Sequence, residues 1–134
     1  MADTMQFDLV SPERRLLSAQ AISVRIPGAD GDMTAMPNHA PLITTLRPGI
    51  LKVALADGPR DFLVTGGFAE IGFGGTSVLA EHAVAREDVT QDLITDLMAA
   101  ANDAVAEAQP EVKDEAAKRV HDLAAAAREL GLTA

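Results

Sequence analysis

The chain of 134 residues contains no cysteine, tryptophan or tyrosine, and aromatic residues make up only 3% of it. Without cysteine it can form no disulfides and no Cys-ligated zinc or iron–sulfur sites, and it has no thiol nucleophile. Basic residues are scarce as well, since 11 Lys and Arg stand against 20 Asp and Glu and give a net charge of −9. Phosphate backbones and anionic lipid would repel such a chain, so nucleic acid is the partner that the composition disfavours most.

Long apolar runs are also missing. No uninterrupted run approaches the roughly 18–20 residues that a membrane helix requires, which argues against direct insertion into lipid. The sequence opens without the basic region and apolar stretch of a signal peptide, and it is not rich in Arg and Ser as transit peptides are. We therefore expect the protein to work in the compartment where it is made.

The first two thirds of the sequence have the pattern of β-strands. Apolar residues are 48% of the chain, which is typical of a folded protein. From Met5 to about Val84 they tend to alternate with polar ones, as Phe7 and Leu9 do, and Gly, Pro, Asn and Asp turns separate the short runs. This spacing predicts an antiparallel sandwich or barrel. The clearest hairpin is predicted at Asp57-Gly58, because Gly readily takes the positive φ of a tight loop.

After Glu87 the period changes to that of amphipathic helices. Asp88 is predicted to cap the first helix, with Gln91 three residues on, and Gln109-Pro110 ends it. Gly131 is predicted to stop the second helix. The apolar stripes of the two helices are Leu93, Leu97, Ala101, Val105 and Ala108, then Ala116, Val120, Leu123, Ala127 and Leu130.

Two helices with so short a link must form an antiparallel hairpin. The sequence therefore predicts an α+β protein, with an N-terminal antiparallel β-sandwich over residues 1–87 and a C-terminal antiparallel αα-hairpin over residues 88–134. The second helix has only three large apolar side chains on its stripe, Val120, Leu123 and Leu130. Their burial gains about 1.5–3 kcal/mol each. Ordering the backbone costs about 1–2 kcal/mol per residue. We therefore expect a mobile hairpin.

Residues that carry chemistry are sparse. The three histidines, His39, His82 and His121, lack metal-ligand spacing, and no serine lies in a nucleophile elbow. The glycines at 72, 74 and 75 lack the Gly-Lys-Ser/Thr that follows in a phosphate-binding loop. The sequence thus predicts no catalytic residue, no metal site and no cofactor. A free-standing small-ligand-binding or enzymatic β-domain stays open as an alternative, as does a helical-hairpin adaptor.

The stretch from Pro27 to Leu51 is the most informative. Pro37 and Pro41 bracket a rigid irregular loop, since each proline restricts itself and the residue before it. Asn38 and His39 form the polar tip of this loop. From the pattern alone, the simplest interpretation is that His39 satisfies nearby backbone carbonyls.

Several motifs nevertheless fall in one order along nearly the whole chain. Taken together they resemble the epsilon subunit of F-type ATP synthases. The matching segments are Phe7–Glu13, Gly31–Met33, Pro37–Thr44, Leu46–Gly49, Gly66–Ile71 and Val78–Ala83.

The resemblance implies a rotor subunit rather than an enzyme. In this family a β-sandwich binds the gamma subunit and the ring of c subunits, a helical hairpin follows, and catalysis stays in alpha and beta. It implies a peripheral location at the cytoplasmic face of the bacterial inner membrane. The residues that would face the c ring are Asp32, Met33, Asn38 and His39. Those that would lie toward gamma are Ser11 and Thr44.

The hairpin departs from the family in two ways. Many members bind ATP through an Ile/Leu-Asp-x-x-Arg-Ala motif, whereas residues 92–99 contain no cation and none lies between Glu87 and Lys113. We therefore expect no ATP-binding site. In the family an extended hairpin can contact alpha and beta and inhibit hydrolysis through basic residues. Here the basic residues of the second helix alternate with acidic ones, which does not favour inhibition.

Overall fold

The computed structural model describes residues 3–134. The chain divides into two units, Met1–Arg86 and Glu87–Ala134, so the division falls one residue before the boundary predicted after residue 87.

The first unit is built from β-strands. They are β1 (Met5–Val10), β2 (Arg15–Gly28), β3 (Gly31–Ala35), β4 (Leu42–Thr45), β5 (Gly49–Leu55), β6 (Gly58–Val64), β7 (Gly67–Gly72), β8 (Gly75–Ala80) and β9 (Ala83–Ala85). Their order is β4-β7-β8-β1-β2-β5-β6-β9, and β3 pairs with β2. The named pairings are antiparallel apart from the parallel pair of β1 and β8.

The long strand β2 belongs to both layers of a β-sandwich. Its first half, Arg15–Ala21, pairs with β1, and its second half pairs with β3 and β5. The pairing with β5 shifts its register between Ala21 and Ser23, where the strand passes from one partner to the other. A bulge of this kind bends a strand and increases its twist. The predicted fold class, a β-sandwich followed by a helical hairpin, is confirmed.

The core lies between the two layers. The alternation predicted for β1 is confirmed, because Phe7 and Leu9 are buried while Gln6 is exposed and Asp8 is half-buried. The hairpin predicted at Asp57-Gly58 also forms: Leu55 pairs with Gly58, which has a φ of 129°. Buried side chains from both layers fill the interior, among them Phe7, Leu9, Val24, Ile26, Leu51, Phe62, Ile71 and Val78.

The second unit is an αα-hairpin of α1 (Gln91–Glu107) and α2 (Lys113–Glu129), joined through a 3-10 turn at Pro110–Val112. The predicted stripes are half-buried or buried, with Ile94 and Ala126 as additional buried residues. The side-chain amide of Gln91 pairs with the backbone of Thr133, donating to its carbonyl at 2.6 Å and accepting from its N–H at 3.0 Å. The start of α1 therefore lies beside the chain that follows α2, as an antiparallel hairpin requires.

The cap of α1 differs from the prediction. Thr90, not Asp88, is the N-cap, and its Oγ1 accepts a hydrogen bond from the backbone N–H of Leu93 at 3.1 Å. Asp88 is instead the last residue of a 3-10 turn that starts at Arg86, which places it too early to reach the first turn of α1. Gly131 ends α2 as predicted, with a φ of 77° that L side chains rarely adopt. In the described part of the chain, no helix is long and apolar enough to cross a membrane.

Candidate functional site

Two arginines hold the carboxylate of Asp32. Arg25 Nη2 lies 3.0 Å from Asp32 Oδ2, and Arg47 donates to Oδ1 of the same carboxylate. Arg25 lies diagonally across the β2–β3 pair from Asp32, since it pairs with Thr34 while Asp32 pairs with Pro27. Arg47 also donates to the carbonyl of Gly28, so its guanidinium joins β3 to the end of β2. The three side chains together carry a formal charge of +1.

The protonation of Asp32 follows from these contacts. Partial burial raises the pKa of its carboxyl, but hydrogen bonds from Arg47 and Arg25 and their positive charges outweigh it, so the pKa lies below its ordinary value of 3.8. Asp32 is ionised at neutral pH. Its negative charge is therefore already compensated within the sandwich, and a partner at this edge meets two guanidinium groups as well as the carboxylate.

The side chain of His39 bonds to the backbone of its own loop. This is what the sequence pattern alone predicted for it. Its Nδ1 lies 2.6 Å from the carbonyl oxygen of Ala40, and because a carbonyl only accepts, Nδ1 carries the hydrogen. Its backbone N–H donates to the carbonyl of Met36 and closes a tight turn. Asn38 takes a φ of 66° within that turn and is exposed.

The predicted c-ring residues lie in two different surroundings. Asp32 and Met33 sit on β3 next to the end of β2. Asn38 instead lines an open hollow together with Phe73 and Gly74, at the tip of the β7–β8 hairpin.

The two residues predicted to lie toward gamma are also separate in their contacts. Ser11 opens the turn after β1, where its N–H and Oγ both bond to the carbonyl of Arg14. Thr44 is half-buried on β4 opposite the buried Ala69, and its hydroxyl donates to the carbonyl of Thr45. Thr44 is therefore on the inner side of its strand, and its neighbour Ile43 faces outward.

An apolar strip on the outer face of β4, β7 and β8 escaped the sequence analysis. We define the apolar strip as Ile43, Phe68 and Leu79, whose exposures are 68%, 42% and 43%. Phe68 and Leu79 pair directly across β7 and β8. Ile43 lies on the same face of the edge strand β4, opposite Glu70. Contiguous exposed apolar patches are a common feature of interaction surfaces.

The exposed face of α1 is acidic. Asp92, Asp96, Asp103 and Glu107 are all exposed and follow one another at intervals of four, seven and four residues. At about 100° per residue, these intervals place the four carboxylates within about 60° of the helix circumference. No Lys or Arg occurs in α1. Within residues 3–134, no group of three His, Asp or Glu side chains is arranged to hold a metal ion.

Comparisons with known proteins agree with this architecture. The family model described as ATP synthase, Delta/Epsilon chain, beta-sandwich domain matches residues 4–86. A protein from Rhodobacter capsulatus named ATP synthase epsilon chain is 50% identical over 132 residues, covering 98% of this chain and 100% of its own. One of the same name from Fuscovulum blasticum is 57% identical over 126 residues, covering 93% of this chain and 95% of its own.

Solved structures share the fold at low identity. A chain in the cryo-EM structure of the Euglena gracilis mitochondrial ATP synthase, titled OSCP/F1/c-ring in rotational state 1, has a TM-score of 0.69 and 19% identity, with 90% of this chain and 77% of that one covered. A chain in the Tetrahymena thermophila central stalk and c-ring structure has a TM-score of 0.54 and 18% identity, with 63% and 68% covered. On its matched β-sandwich domain and its extensive identity to these bacterial relatives, the chain belongs to the epsilon subunits of F-type ATP synthases.

Proposed function

We propose that this epsilon subunit is a non-catalytic part of the rotor, which binds gamma and the c ring in the central stalk and couples proton transport to ATP synthesis. Family membership supports this role, as do the titles of the two fold neighbours, which name an F1/c-ring assembly and a central stalk with its c ring. The observation that carries the proposal is the apolar strip, because a rotor subunit needs a face that a partner covers permanently.

Gamma is the partner that we assign to the apolar strip. Removing apolar surface from water in an interface contributes about 25 cal/mol per Å² to the free energy of association. The strip lies on the outer face of the sheet, and Thr44 lies on the inner face of the same sheet. The row that pairs Phe68 on β7 with Leu79 on β8 continues across to Val10 on β1, and Ser11 follows Val10 in the chain. Of the two residues implied by the resemblance, Thr44 is thus next to Ile43 along β4, and Ser11 follows the residue that pairs with Leu79. We expect Ile43, Phe68 and Leu79 to supply most of the contact, since Thr44 points inward.

We assign the c ring to Asp32, Met33, Asn38 and His39, as the resemblance implies. The compensated charge at Asp32 suits the polar loop of a c subunit that offers carbonyl or carboxylate oxygens to Arg25 and Arg47. At the His39 loop, Nε2 is the ring nitrogen that remains for a partner, because Nδ1 bonds to Ala40.

The hairpin is a minor contributor in this proposal. Contact with alpha and beta requires it to extend, and the acidic face of α1 has no cation to meet acidic segments there. Deleting residues 88–134 should therefore change ATP hydrolysis by the complex little. We place the subunit at the cytoplasmic face of the bacterial inner membrane, held there by its partners.

The test is recovery of the assembly. A tagged chain purified from detergent-solubilised membranes of the source cell should bring down alpha, beta, gamma and c subunits. The double variant Ile43→Ser/Phe68→Ser should lose them. Val112→Ser, which removes an exposed apolar side chain from the hairpin, is the matched control and should retain them. Recovery of the wild-type chain alone, under conditions that keep the synthase intact, would overturn the proposal and reopen a free-standing ligand-binding or enzymatic β-domain.

A further inference from the structure

The edge strand β4 leaves one of its sides unpaired. It is the terminal strand of the sheet order and pairs with β7. The N–H of Leu46, just after β4, donates to the carbonyl of Gly67 on the side of β7. The carbonyl of Thr45 accepts from the N–H of Ala29, which lies on the opposite side. Successive residues of a strand point their backbone groups to opposite sides, so Ile43 directs its N–H and C=O away from β7, as Thr45 does.

The open side of β4 presents donors and acceptors in equal number. Within residues 3–134, the N–H and C=O of Ile43 and the N–H of Thr45 have no hydrogen-bond partner there. Pro41 directly precedes the strand and has no N–H, so it adds only its carbonyl. The carbonyl of Thr45 is already bonded to Ala29. The edge therefore offers two N–H donors, at Ile43 and Thr45, and two acceptors, at Pro41 and Ile43.

The sequence of β4 does not protect this edge. Natural edge strands are commonly kept from pairing with other chains by charged side chains or by proline within the strand. The four residues of β4, Leu42–Thr45, include neither. The edge strand β3, in contrast, carries Asp32 with the two arginines that hold it. The strand β4 is thus an edge on which another strand can add by backbone hydrogen bonds.

We propose that β4 is a self-pairing edge, at which two copies of the subunit without gamma join their sheets antiparallel about Ile43. Around a two-fold axis, each Ile43 donates its N–H to the carbonyl of the other Ile43, and each Thr45 donates to the carbonyl of the second copy's Pro41. Every free donor then has an acceptor. The carbonyl of Thr45 faces the second copy's Pro41, which has no N–H, so its bond to Ala29 is kept.

The side chains agree with this pairing. The two Ile43 side chains, each 68% exposed, become neighbours on the outer face. On the inner face, Leu42, which is 42% exposed, comes opposite Thr44 of the second copy. Glu70 pairs with Ile43, so the two Glu70 residues are three strand spacings or about 14 Å apart, which exceeds the screening length at about 0.1 M salt. The net charge of −9 opposes association, and self-pairing should therefore strengthen as salt is raised.

This inference rests on the proposed function in one respect, which is that gamma also binds Ile43. Gamma and a second copy then exclude each other, and self-pairing covers the end of the apolar strip until gamma displaces the second copy. The paired edge is short, so we expect weak association, with a Kd of about 0.1 mM. Gamma has the advantage that Phe68 and Leu79 add to its contact.

The test is sedimentation of the purified full chain at concentrations from about 10 µM to about 1 mM, a range that brackets the expected Kd. The wild type should form dimers, and adding the complex of alpha, beta and gamma should dissociate them. Thr45→Pro removes a free N–H without touching the bonds to β7 and should weaken self-pairing at least about 10-fold, as should Ile43→Lys. Leu79→Lys is the matched control, because it places the same charge on the apolar strip two strands away from the edge. It should dimerise like the wild type.

The outcomes separate self-pairing from the proposed function. A wild type that stays monomeric throughout the range would overturn self-pairing, and so would a dimer that both Thr45→Pro and Ile43→Lys leave intact. A monomeric wild type whose binding to gamma is weakened by Thr45→Pro would assign the edge to a strand of gamma instead. A wild type that dimerises as described but does not bind gamma would overturn the proposed function alone. Equal melting temperatures verify that the variants fold.

Discussion

Gly67 lies directly against the carbonyl oxygen of Leu79, so that a Cβ at position 67 would overlap with it. The backbone of Gly67 also has a φ of 115°, which L side chains rarely adopt. Gly67 pairs with Ala80, and the next pair along the two strands is Phe68 with Leu79 of the apolar strip.

Gly67→Ala should therefore be severely destabilising. We expect a loss of at least about 3 kcal/mol in the free energy of unfolding, because steric overlap and backbone strain act together. Gly72→Ala is the control: it has no positive φ and no atom within 4 Å of the added Cβ, so its change should stay within about 0.5 kcal/mol. Urea unfolding of both variants measures the difference. Equal stability of the two would show that β7 and β8 can separate at little cost.

Asp32→Asn should lower stability in a way that depends on pH. Since the folded-state pKa of Asp32 is depressed, its ion pairs stabilise the fold above the ordinary value of 3.8, and this contribution is lost as the pH falls through the lower folded-state value. The side chain is 39% exposed, so we expect less than about 1 kcal/mol at pH 7. Urea unfolding between pH 7 and pH 3 should show the gap between wild type and variant closing. A gap that widens on acidification would contradict the assignment, and Asp57→Asn provides the comparison for a carboxylate at an exposed turn.

Thr90→Ala should weaken the start of α1 by about 1 kcal/mol, because it removes the acceptor for the N–H of Leu93. Asp88→Ala should have a smaller effect, since Asp88 precedes the cap. Amide hydrogen exchange at Leu93 reports the change directly and should accelerate in the first variant only. Faster exchange in Asp88→Ala alone would restore the cap that the sequence suggested.

ATP should not bind the isolated chain. The four carboxylates on the exposed face of α1 would repel its phosphates, and no cation in that helix offsets them. Isothermal titration with millimolar ATP and Mg²⁺ should give only heats of dilution, and the melting temperature should not rise. Micromolar affinity would contradict this expectation and assign a nucleotide site to the hairpin.

Local patterns predicted the elements better than they predicted the surfaces. The alternation around Phe7 and Leu9 and the hairpin at Asp57-Gly58 depend on neighbours in sequence, so they could be predicted directly. The apolar strip could not be predicted in this way, because Val78, Leu79 and Ala80 are all apolar and show no alternation that would tell which of them faces outward. Only the packing of β8 decides that Leu79 faces outward.

The arginines around Asp32 were hidden for a related reason. Arg25 and Arg47 are 7 and 15 residues away from it in sequence, and only the pairing of β2 with β3 and the turn after β4 bring them together. Of the site residues that the family resemblance implied, Asp32 belongs to this cluster, while Ser11, Asn38, His39 and Thr44 make their hydrogen bonds or contacts elsewhere. A sequence motif records which residues recur, whereas their mutual distances depend on the whole sandwich.

The strand β2 has a mechanical consequence. Arg15–Ala21 is bonded to β1, in the layer of the apolar strip, and the second half of the same strand is bonded to β3, which carries Asp32. A force applied at either place reaches the other along continuous covalent backbone. The two layers therefore resist sliding past each other through the stiffness of a peptide chain, which the contact between their apolar side chains alone would not provide.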